Sequence, residues 1–249
     1  MIRLEHINKV YHKGDLNEVS ALSDISLHIG QGEFVVIIGA NGSGKTTLLN
    51  IIEGSELPSS GRIEIKGNEV TQLPEYKRSR WVARVFQNPT NGTAPDLTIL
   101  DNFRLASLRT QRKKLSIGIN PGFTKKVIDK IAGLGMGLER KLNQLMGSLS
   151  GGQRQALTLL MSVMDQTDIL LLDEPTAALD PKSALVVLDL AQTLQQELGI
   201  TTLLVTHNLK DAHHYGTRLI QVHQGKIIRD LNKTDKANVL LKDIYGWFG

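Results

Sequence analysis

The chain has 249 residues, a formal net charge of +4, 4% aromatic residues and no cysteine. Its 41% hydrophobic and 22% charged residues exclude wholesale disorder, and its apolar runs are far shorter than the roughly 20 residues of a membrane span. The lack of cysteine excludes disulfides, thiolate zinc sites, iron–sulfur ligation and cysteine nucleophiles. No signal-peptide core follows Met1, so we expect a cytoplasmic protein. The small positive charge is weak grounds for nucleic-acid binding, and we expect no such partner.

The first third of the chain has the pattern of short strands. Apolar spacing predicts strands over residues 2–10 and 19–29. The continuous apolar run at 34–38 predicts a strand buried on both faces of a parallel sheet. Further strands are predicted over residues 62–66 and 81–86.

The middle of the chain changes character and the last third returns to strands and helices. Residues 98–147 have helical spacing, with a loop signal at 118–122. Strands are predicted at 169–172 and 201–206, and Asp180 followed by proline predicts a helix start. This order predicts one α/β domain: a mostly parallel sheet with helices on both faces, an N-terminal antiparallel β portion and a helical insertion.

A glycine-rich loop follows the buried strand predicted at 34–38. It fits G-x-x-x-x-G-K-[ST] in full, and a helix is predicted after it. Backbone N–H groups of such a loop curl around phosphate, and the helix N-terminus adds positive potential. We expect Lys45 to reach the β- and γ-phosphates and Thr46 to hold Mg²⁺. The full set of expected nucleotide-binding residues here is Gly39, Asn41, Gly42, Ser43, Gly44, Lys45, Thr46 and Thr47.

Two carboxylates end the strand predicted at 169–172. Asp173 lies at the carboxyl end of an apolar strand, where ligands bind in open α/β sheets, and Glu174 follows it. One carboxylate can hold Mg²⁺ while the next polarises the attacking water. The tetrapeptide at 232–235, Asn-Lys-Thr-Asp, matches a guanine-reading motif, but no D-x-x-G follows Asp173, so a solvated turn is the better interpretation.

A second anion-binding helix start is predicted about a hundred residues after the first. Leu149-Ser150-Gly151-Gly152-Gln153 precedes a helix-like run, and Ser150 with Gln153 can form a capping box. The two glycines can expose backbone N–H groups to an anion. Taken alone, an ordinary helix cap is an equally good interpretation.

The phosphate loop, L-S-G-G-Q and the Asp-Glu strand end, in this order, resemble the ATP-binding-cassette (ABC) ATPase family. The resemblance covers about residues 1–230 and implies a P-loop NTPase (RecA-like) core with ATP and Mg²⁺ as cofactors. It assigns a metal-contacting role to Gln87 and a γ-phosphate-holding role to His207. It places adenine against Tyr11, a match that rests on position alone, and makes residues 178–180 a loop that contacts the partner subunit.

The resemblance also implies an assembly. Two cassettes meet head to tail, so that ATP bound to one subunit is closed by Ser150, Gly151, Gly152 and Gln153 of the other. The second subunit is expected to be an identical copy. The resemblance implies separate transmembrane permease subunits, with the cassette peripheral on the inner face of the cell membrane, and an extracytoplasmic substrate-binding protein. It divides the domain into a catalytic core, residues 1–88 and 165–249, and a helical subdomain over about 89–164.

The helical insertion is unusually basic. Between residues 104 and 130 eight basic residues face one acidic residue, Asp129, giving 8 − 1 = +7. A solvated basic loop explains this pattern, and a face attracted to an anionic membrane explains it as well. The eight are Arg104, Arg109, Arg112, Lys113, Lys114, Lys125, Lys126 and Lys130.

The transported substance is less well defined by the sequence. Residues 88–99, 151–157 and 206–208 resemble a subgroup of bacterial binding-protein-dependent uptake ATPases, some members of which are associated with tryptophan- or tyrosine-like substrates. The expected function is therefore ATP hydrolysis that powers import of a small solute, such as an amino acid. Residues 48–54 also resemble lipoprotein-releasing or efflux ATPases, and a soluble cassette of iron–sulfur assembly is a further alternative.

Overall fold

The computed structural model describes residues 1–109 and 118–248. Ten strands are described: β1 (Ile2–Tyr11), β2 (Val19–Ile29), β3 (Phe34–Ile38), β4 (Ser60–Ile65), β5 (Asn68–Glu69), β6 (Val82–Val85), β7 (Ile169–Asp173), β8 (Thr201–Val205), β9 (Arg218–His223) and β10 (Lys226–Leu231). The α-helices in the same ranges are α1 (Lys45–Glu53), α2 (Glu75–Arg78), α3 (Ile99–Ala106), α4 (Pro121–Ala132), α5 (Gly151–Ser162), α6 (Pro181–Leu198), α7 (Leu209–His214), α8 (Lys233–Asn238) and α9 (Leu241–Gly246).

A six-stranded sheet forms the centre of the molecule, in the order β10-β9-β3-β8-β7-β6. Strands β9, β3, β8, β7 and β6 are parallel, and β10 pairs antiparallel with β9. A second, antiparallel sheet has the order β2-β1-β4-β5. The predicted mostly parallel sheet and N-terminal antiparallel portion are therefore confirmed.

Strand β3 shows why its sequence is apolar throughout. All five residues are buried, but alternate side chains enter different cores. Val35 and Ile37 pack with α1 and the antiparallel sheet. Phe34, Val36 and Ile38 pack in the other core, which also contains Phe103, Val127 and Leu160 of the helical region. The helical region thus shares a continuous core with one face of the central sheet.

One predicted helix start is confirmed and two other predictions change in the structure. Helix α5 begins at Gly151, directly after the predicted cap. The loop signal at 118–122 is only half right, because Pro121 opens α4 and the side chain of Asn120 accepts a hydrogen bond from the Phe123 amide. The tetrapeptide at 232–235 is solvent-exposed, as predicted, but it is the start of a helix rather than an isolated turn, because Asn232 caps α8.

Two features bear on the expected membrane association. No helix in the described ranges is long and apolar enough to cross a membrane. Of the expected basic face, Arg112, Lys113 and Lys114 lie outside the described residues. Within the described part, Arg109 donates to the carbonyl of Gln166 and the guanidinium of Arg104 lies 5.7 Å from the Phe123 ring centre. Two of the basic side chains therefore have partners inside the protein.

Candidate functional site: a phosphate loop and its carboxylates

The loop between β3 and α1 has no room for a side chain at either of its two ends, Gly39 and Gly44. A Cβ atom on Gly39 would lie 2.2 Å from the carbonyl oxygen of Val222 and 2.6 Å from Oγ of Ser43. Gly44 has a φ of +104°, and its Cβ would lie 2.5 Å from the carbonyl oxygen of Ala21. These two glycines are required by close backbone approach and, at Gly44, by a left-handed conformation.

The start of α1 has polar groups that the described protein atoms leave unsatisfied. Gly44 precedes the helix and supplies no side-chain cap for its first N–H groups. The Ser43 side chain is buried, and its hydroxyl has no hydrogen-bond partner in the described part of the chain. A buried hydroxyl is normally paired. An anion seated on this helix end satisfies such groups, so the loop fits a phosphate.

The Lys45 side chain folds back onto this loop. Lys45 is 5% exposed, and its ammonium donates to the carbonyl oxygens of Gly39 at 2.8 Å and Ala40 at 3.0 Å. Burial lowers the pKa of Lys45, and the charges of Glu174 and Asp173 oppose that shift. Bound phosphate would give this desolvated cation an anionic partner.

Two of the three expected metal ligands, Thr46 and Asp173, lie close together beside the loop. Oγ1 of Thr46, in α1, lies 3.4 Å from Oδ1 of Asp173, at the end of β7. A hydroxyl and a carboxylate are hard oxygen ligands of the kind that Mg²⁺ takes. The third expected residue, Gln87, is exposed just after β6. Because β6 and β7 are adjacent parallel strands, Gln87 and Asp173 lie at the same edge of the sheet.

Glu174 and His207 form a second pair at this edge. Nδ1 of His207 lies 3.0 Å from Oε2 of Glu174. Glu174 has a φ of 47°, a left-handed conformation uncommon for a side-chain-bearing residue, and its amide donates to Val205 at 2.9 Å. Backbone strain of this kind clusters at functional sites.

The remaining nucleotide-binding residues expected within the same chain lie in or beside the loop. Tyr11 ends β1 and pairs with Val19 of β2, and Ala21, two residues further along β2, contacts Gly44. The Tyr11 ring is half-buried, and the Lys9 ammonium lies 4.7 Å from its centre. Asn41 is exposed at the loop tip and Thr47 is half-buried in α1.

The L-S-G-G-Q residues form a separate cluster on α5. The predicted capping box is present: Ser150 Oγ accepts from the Gln153 amide at 3.3 Å, and Gln153 Oε1 accepts from the Ser150 amide at 3.2 Å. A Cβ on Gly152 would lie 2.4 Å from Oγ of Ser183 at the start of α6. Gly152 is therefore needed for helix packing within the chain. Gly151 is exposed.

Sequence reasoning missed the polar side chains of Gln155 and Arg84, which adjoin the site. Gln155 is fully buried, and its Nε2 donates to the carbonyls of Phe86 and Pro175, both at 2.9 Å. It ties α5 to the residues next to Gln87 and Glu174. Arg84 forms ion pairs with Glu53 and Asp173. The sequence signal for Arg84 was a charged residue within the short apolar strand β6. Gln155 lies next to the L-S-G-G-Q motif, but no sequence signal distinguished it as a site residue.

The fold and the loop define a nucleotide-binding P-loop protein. The chain belongs to the ABC transporter family, whose model matches residues 22–177. It is an ATPase of this family.

Named relatives align along the whole chain. It is 41% identical over 246 residues to a tyrosine transport ATP-binding protein of Clostridioides difficile, covering 98% of this chain and 97% of that protein. It is 34% identical to a phosphonates import ATP-binding protein of Lactococcus lactis subsp. cremoris, covering 98% of each.

Solved cassettes have the same fold. One is a dimeric post-hydrolysis state of an ATP-binding cassette bound to ADP and phosphate, with a TM-score of 0.80 and 31% identity over 94% of this chain and 99% of that one. Another, in its ADP conformation, has a TM-score of 0.82 and 25% identity over 100% and 98%. The P-loop α/β core inferred from sequence is thereby confirmed.

Proposed function

We propose that this ATPase binds Mg²⁺·ATP at the loop between β3 and α1 and hydrolyses it to power import through separate membrane subunits. The observation that carries the site assignment is the uncapped start of α1, where the Ser43 hydroxyl has no partner in the described part of the chain and Lys45 is buried. The import direction is supported by the phosphonates import relative, which aligns with 98% of this chain.

Each site residue has a role in this proposal. The loop amides and Lys45 bind phosphate, and Tyr11 stacks on adenine. Thr46, Asp173 and Gln87 hold Mg²⁺, which supplies charge neutralisation of the phosphates. Glu174 orients and polarises the attacking water, and His207, 3.0 Å from Glu174, contacts the γ-phosphate.

Replacement of Glu174 tests the hydrolytic assignment. We expect Glu174→Gln to lower the ATP turnover number by ~10²–10⁴, the usual contribution of a general base, while ATP still binds. Turnover is measured by phosphate release and binding with a fluorescent ATP analogue. The matched control is Glu33→Gln, because Glu33 pairs with Arg218 at the start of β9, away from the site. A Glu174→Gln protein with parental turnover would refute the assignment.

The second half of the site comes from a second copy of the chain in this proposal. Ser150, Gly151 and Gln153 at the start of α5 are exposed or half-buried and lie on a cluster separate from the phosphate loop. An anion held by the phosphate loop of one copy can meet this helix end of another. Support comes from the cassette that was solved as a dimer with ADP and phosphate.

Ser150→Arg tests the composite site. We expect the added side chain to abolish the ATP-dependent dimer of the Glu174→Gln protein, as measured by light scattering, while the monomer still binds ATP. Gln196→Arg is the control, because Gln196 is exposed near the C-terminal end of α6 and adds the same charge elsewhere. Survival of the dimer in Ser150→Arg would refute the trans arrangement.

The membrane partners dock on the helical subdomain, about residues 89–164, in this proposal. An open groove of about 430 Å³ lies between this region and the core, with Phe86, Leu105 and Met161 among its lining residues. It offers apolar surface to a cytoplasmic loop of a permease, which would hold the cassette at the inner face of the membrane. Loss of co-purification with the permease on Leu105→Glu, with ATP binding intact, is the expected result.

The transported solute is an amino acid or a solute of similar size, delivered by an extracytoplasmic binding protein. The tyrosine transport relative supports this class. Competition among labelled amino acids for uptake by the assembled transporter measures it. Uptake of phosphonate in preference to tyrosine would instead place the chain with the phosphonate import relatives.

A further inference from the structure

One buried arginine connects three elements around the metal carboxylate. Arg84 lies on β6, and its side chain is 5% exposed. Nη2 donates to Oδ2 of Asp173 at 2.6 Å. Nη1 donates to Oε2 of Glu53 and to Oδ1 of Asn50, both at 2.7 Å and both near the end of α1.

The two oxygens of Asp173 therefore have different partners. Oδ2 is held by Arg84, while Oδ1 faces Thr46 at 3.4 Å. A carboxylate fixed through one oxygen cannot rotate freely, so the second oxygen keeps one direction. Partners of this kind orient metal ligands in many metal sites.

The geometry requires a planar fork. A guanidinium can pair with two carboxylates on two different edges, whereas an ammonium is a compact point charge. The Phe86 ring, 4.9 Å away, packs against the same guanidinium. The carboxylates of Glu53 and Asp173 therefore share one guanidinium in a largely buried cluster beside Thr46.

We propose that Arg84 is a positioning residue of the ATPase site, which presents Oδ1 of Asp173 to the bound metal. Through Glu53 and Asn50 it also fixes Asp173 relative to α1, the helix whose first turn holds the phosphates. The proposal rests on the metal role proposed above for Asp173.

The test measures how much Mg²⁺ tightens nucleotide binding. A non-hydrolysable fluorescent ATP analogue is titrated in Mg²⁺ and in EDTA, and the ratio of the two dissociation constants is the metal gain. In the double variant Arg84→Met/Glu53→Gln, which leaves no unpaired Glu53 charge, we expect the metal gain to fall by about 10–100-fold. Binding in EDTA should stay within about 3-fold, since no phosphate contact changes.

Arg84→Lys keeps the charge but loses the fork, so its metal gain should lie between those of the parent and the double variant. It also keeps the test decisive if the double variant does not fold. Arg218→Met is the matched control, because Arg218 likewise joins two carboxylates, Glu33 and Asp230, away from the site. Its metal gain should equal that of the parent.

Asp173→Asn separates the two ways to fail. If Asp173→Asn loses the metal gain while folded Arg84 variants retain it, the positioning role of Arg84 is wrong and the proposed metal site stands. If Asp173→Asn itself retains the metal gain, the metal role of Asp173 is wrong, and the inference about Arg84 is wrong with it. A loss in Arg218→Met equal to that in the Arg84 variants would show a general effect of stability.

Discussion

The helices α1 and α5 both begin beside glycines, and their first turns are built in opposite ways. At α1, Gly44 provides no side-chain cap, and the buried Ser43 hydroxyl has no partner in the described chain. At α5, Ser150 and Gln153 satisfy each other's backbone amides in a complete capping box. The first helix start leaves polar groups without partners in the described chain, and the second satisfies them with its own side chains.

This difference suggests why the two helix starts would not bind the same anion within one chain. In the proposed site, the α1 end and Lys45 bind phosphate within one chain. The α5 end can present its exposed surface to an anion only when another surface brings that anion to it. We therefore expect substitutions at α1 to act on binding and substitutions at α5 to act on stability or dimerisation.

The largest contrast is expected between two glycines. Gly39→Ala places a methyl 2.2 Å from the backbone oxygen of Val222, so the loop itself must move. We expect about 100-fold or greater loss of ATP affinity, because small displacements of positioning groups have effects of that size. Gly152→Ala meets instead the Ser183 side chain at 2.4 Å. It should lower the free energy of unfolding by ~1–3 kcal/mol.

Second-site changes separate these two causes. Ser183→Gly should restore much of the stability of Gly152→Ala, measured by urea unfolding, because it removes the obstructing atoms. Ser43→Gly should not restore ATP binding to Gly39→Ala, since the Val222 carbonyl remains. Rescue of Gly39→Ala, or failure to rescue Gly152→Ala, would contradict the distinction between backbone and side-chain contact.

The same contrast explains what could be predicted from the sequence. The phosphate loop, the Asp-Glu strand end and the capping box are local patterns, in which neighbouring residues determine the geometry. The left-handed conformation of Glu174 and the packing of Gly152 on Ser183 depend on elements far apart in the chain. Sequence spacing contains no measure of either.

The predicted boundaries show the same limit. The loop predicted at 118–122 is correct up to Asn120, but Pro121 is the first residue of α4. Proline occurs both in loops and at the first helical position, and the sequence alone does not distinguish the two. The contacts of Arg84 with Glu53 and Asp173 join residues 31 and 89 positions apart. One sequence could indicate that Arg84 is unusual in a strand, but not which carboxylates it pairs with.

An effect of similar size is expected at Lys45. Lys45→Met should lower ATP turnover by ~10²–10³, as loss of a charged group aimed at developing charge does. Burial lowers the pKa of the Lys45 ammonium in the folded parent. At pH values between this lowered pKa and the usual 10.5, the unfolded chain therefore binds more protons than the folded chain. Stability of the parent relative to Lys45→Met should therefore rise as pH increases from neutral towards 10.5.

Urea unfolding of the nucleotide-free proteins over that pH range measures this difference. Arg218→Met, which leaves Lys45 in place, should follow the pH trend of the parent. Parallel curves for the parent and Lys45→Met would mean that the ammonium is not desolvated in the folded chain.

The smallest effects come from two serines, and they are expected to have opposite signs. Ser43→Ala removes a buried hydroxyl that has no partner in the described chain, so the nucleotide-free protein should gain ~1 kcal/mol of unfolding free energy and lose ATP affinity. Ser150→Ala removes the α5 cap, so the protein should lose ~1 kcal/mol while the monomer keeps its ATP affinity.

Both variants are measured by urea unfolding without nucleotide and by ATP titration of the monomer. A loss of stability in Ser43→Ala would mean that its hydroxyl already has a partner, and the start of α1 would then resemble that of α5. A loss of monomer ATP affinity in Ser150→Ala would place Ser150 beside the phosphate within one chain. Since the two substitutions are expected to change stability in opposite directions, and only Ser43→Ala is expected to lower the ATP affinity of the monomer, a general effect of removing a hydroxyl cannot reproduce the expected pattern.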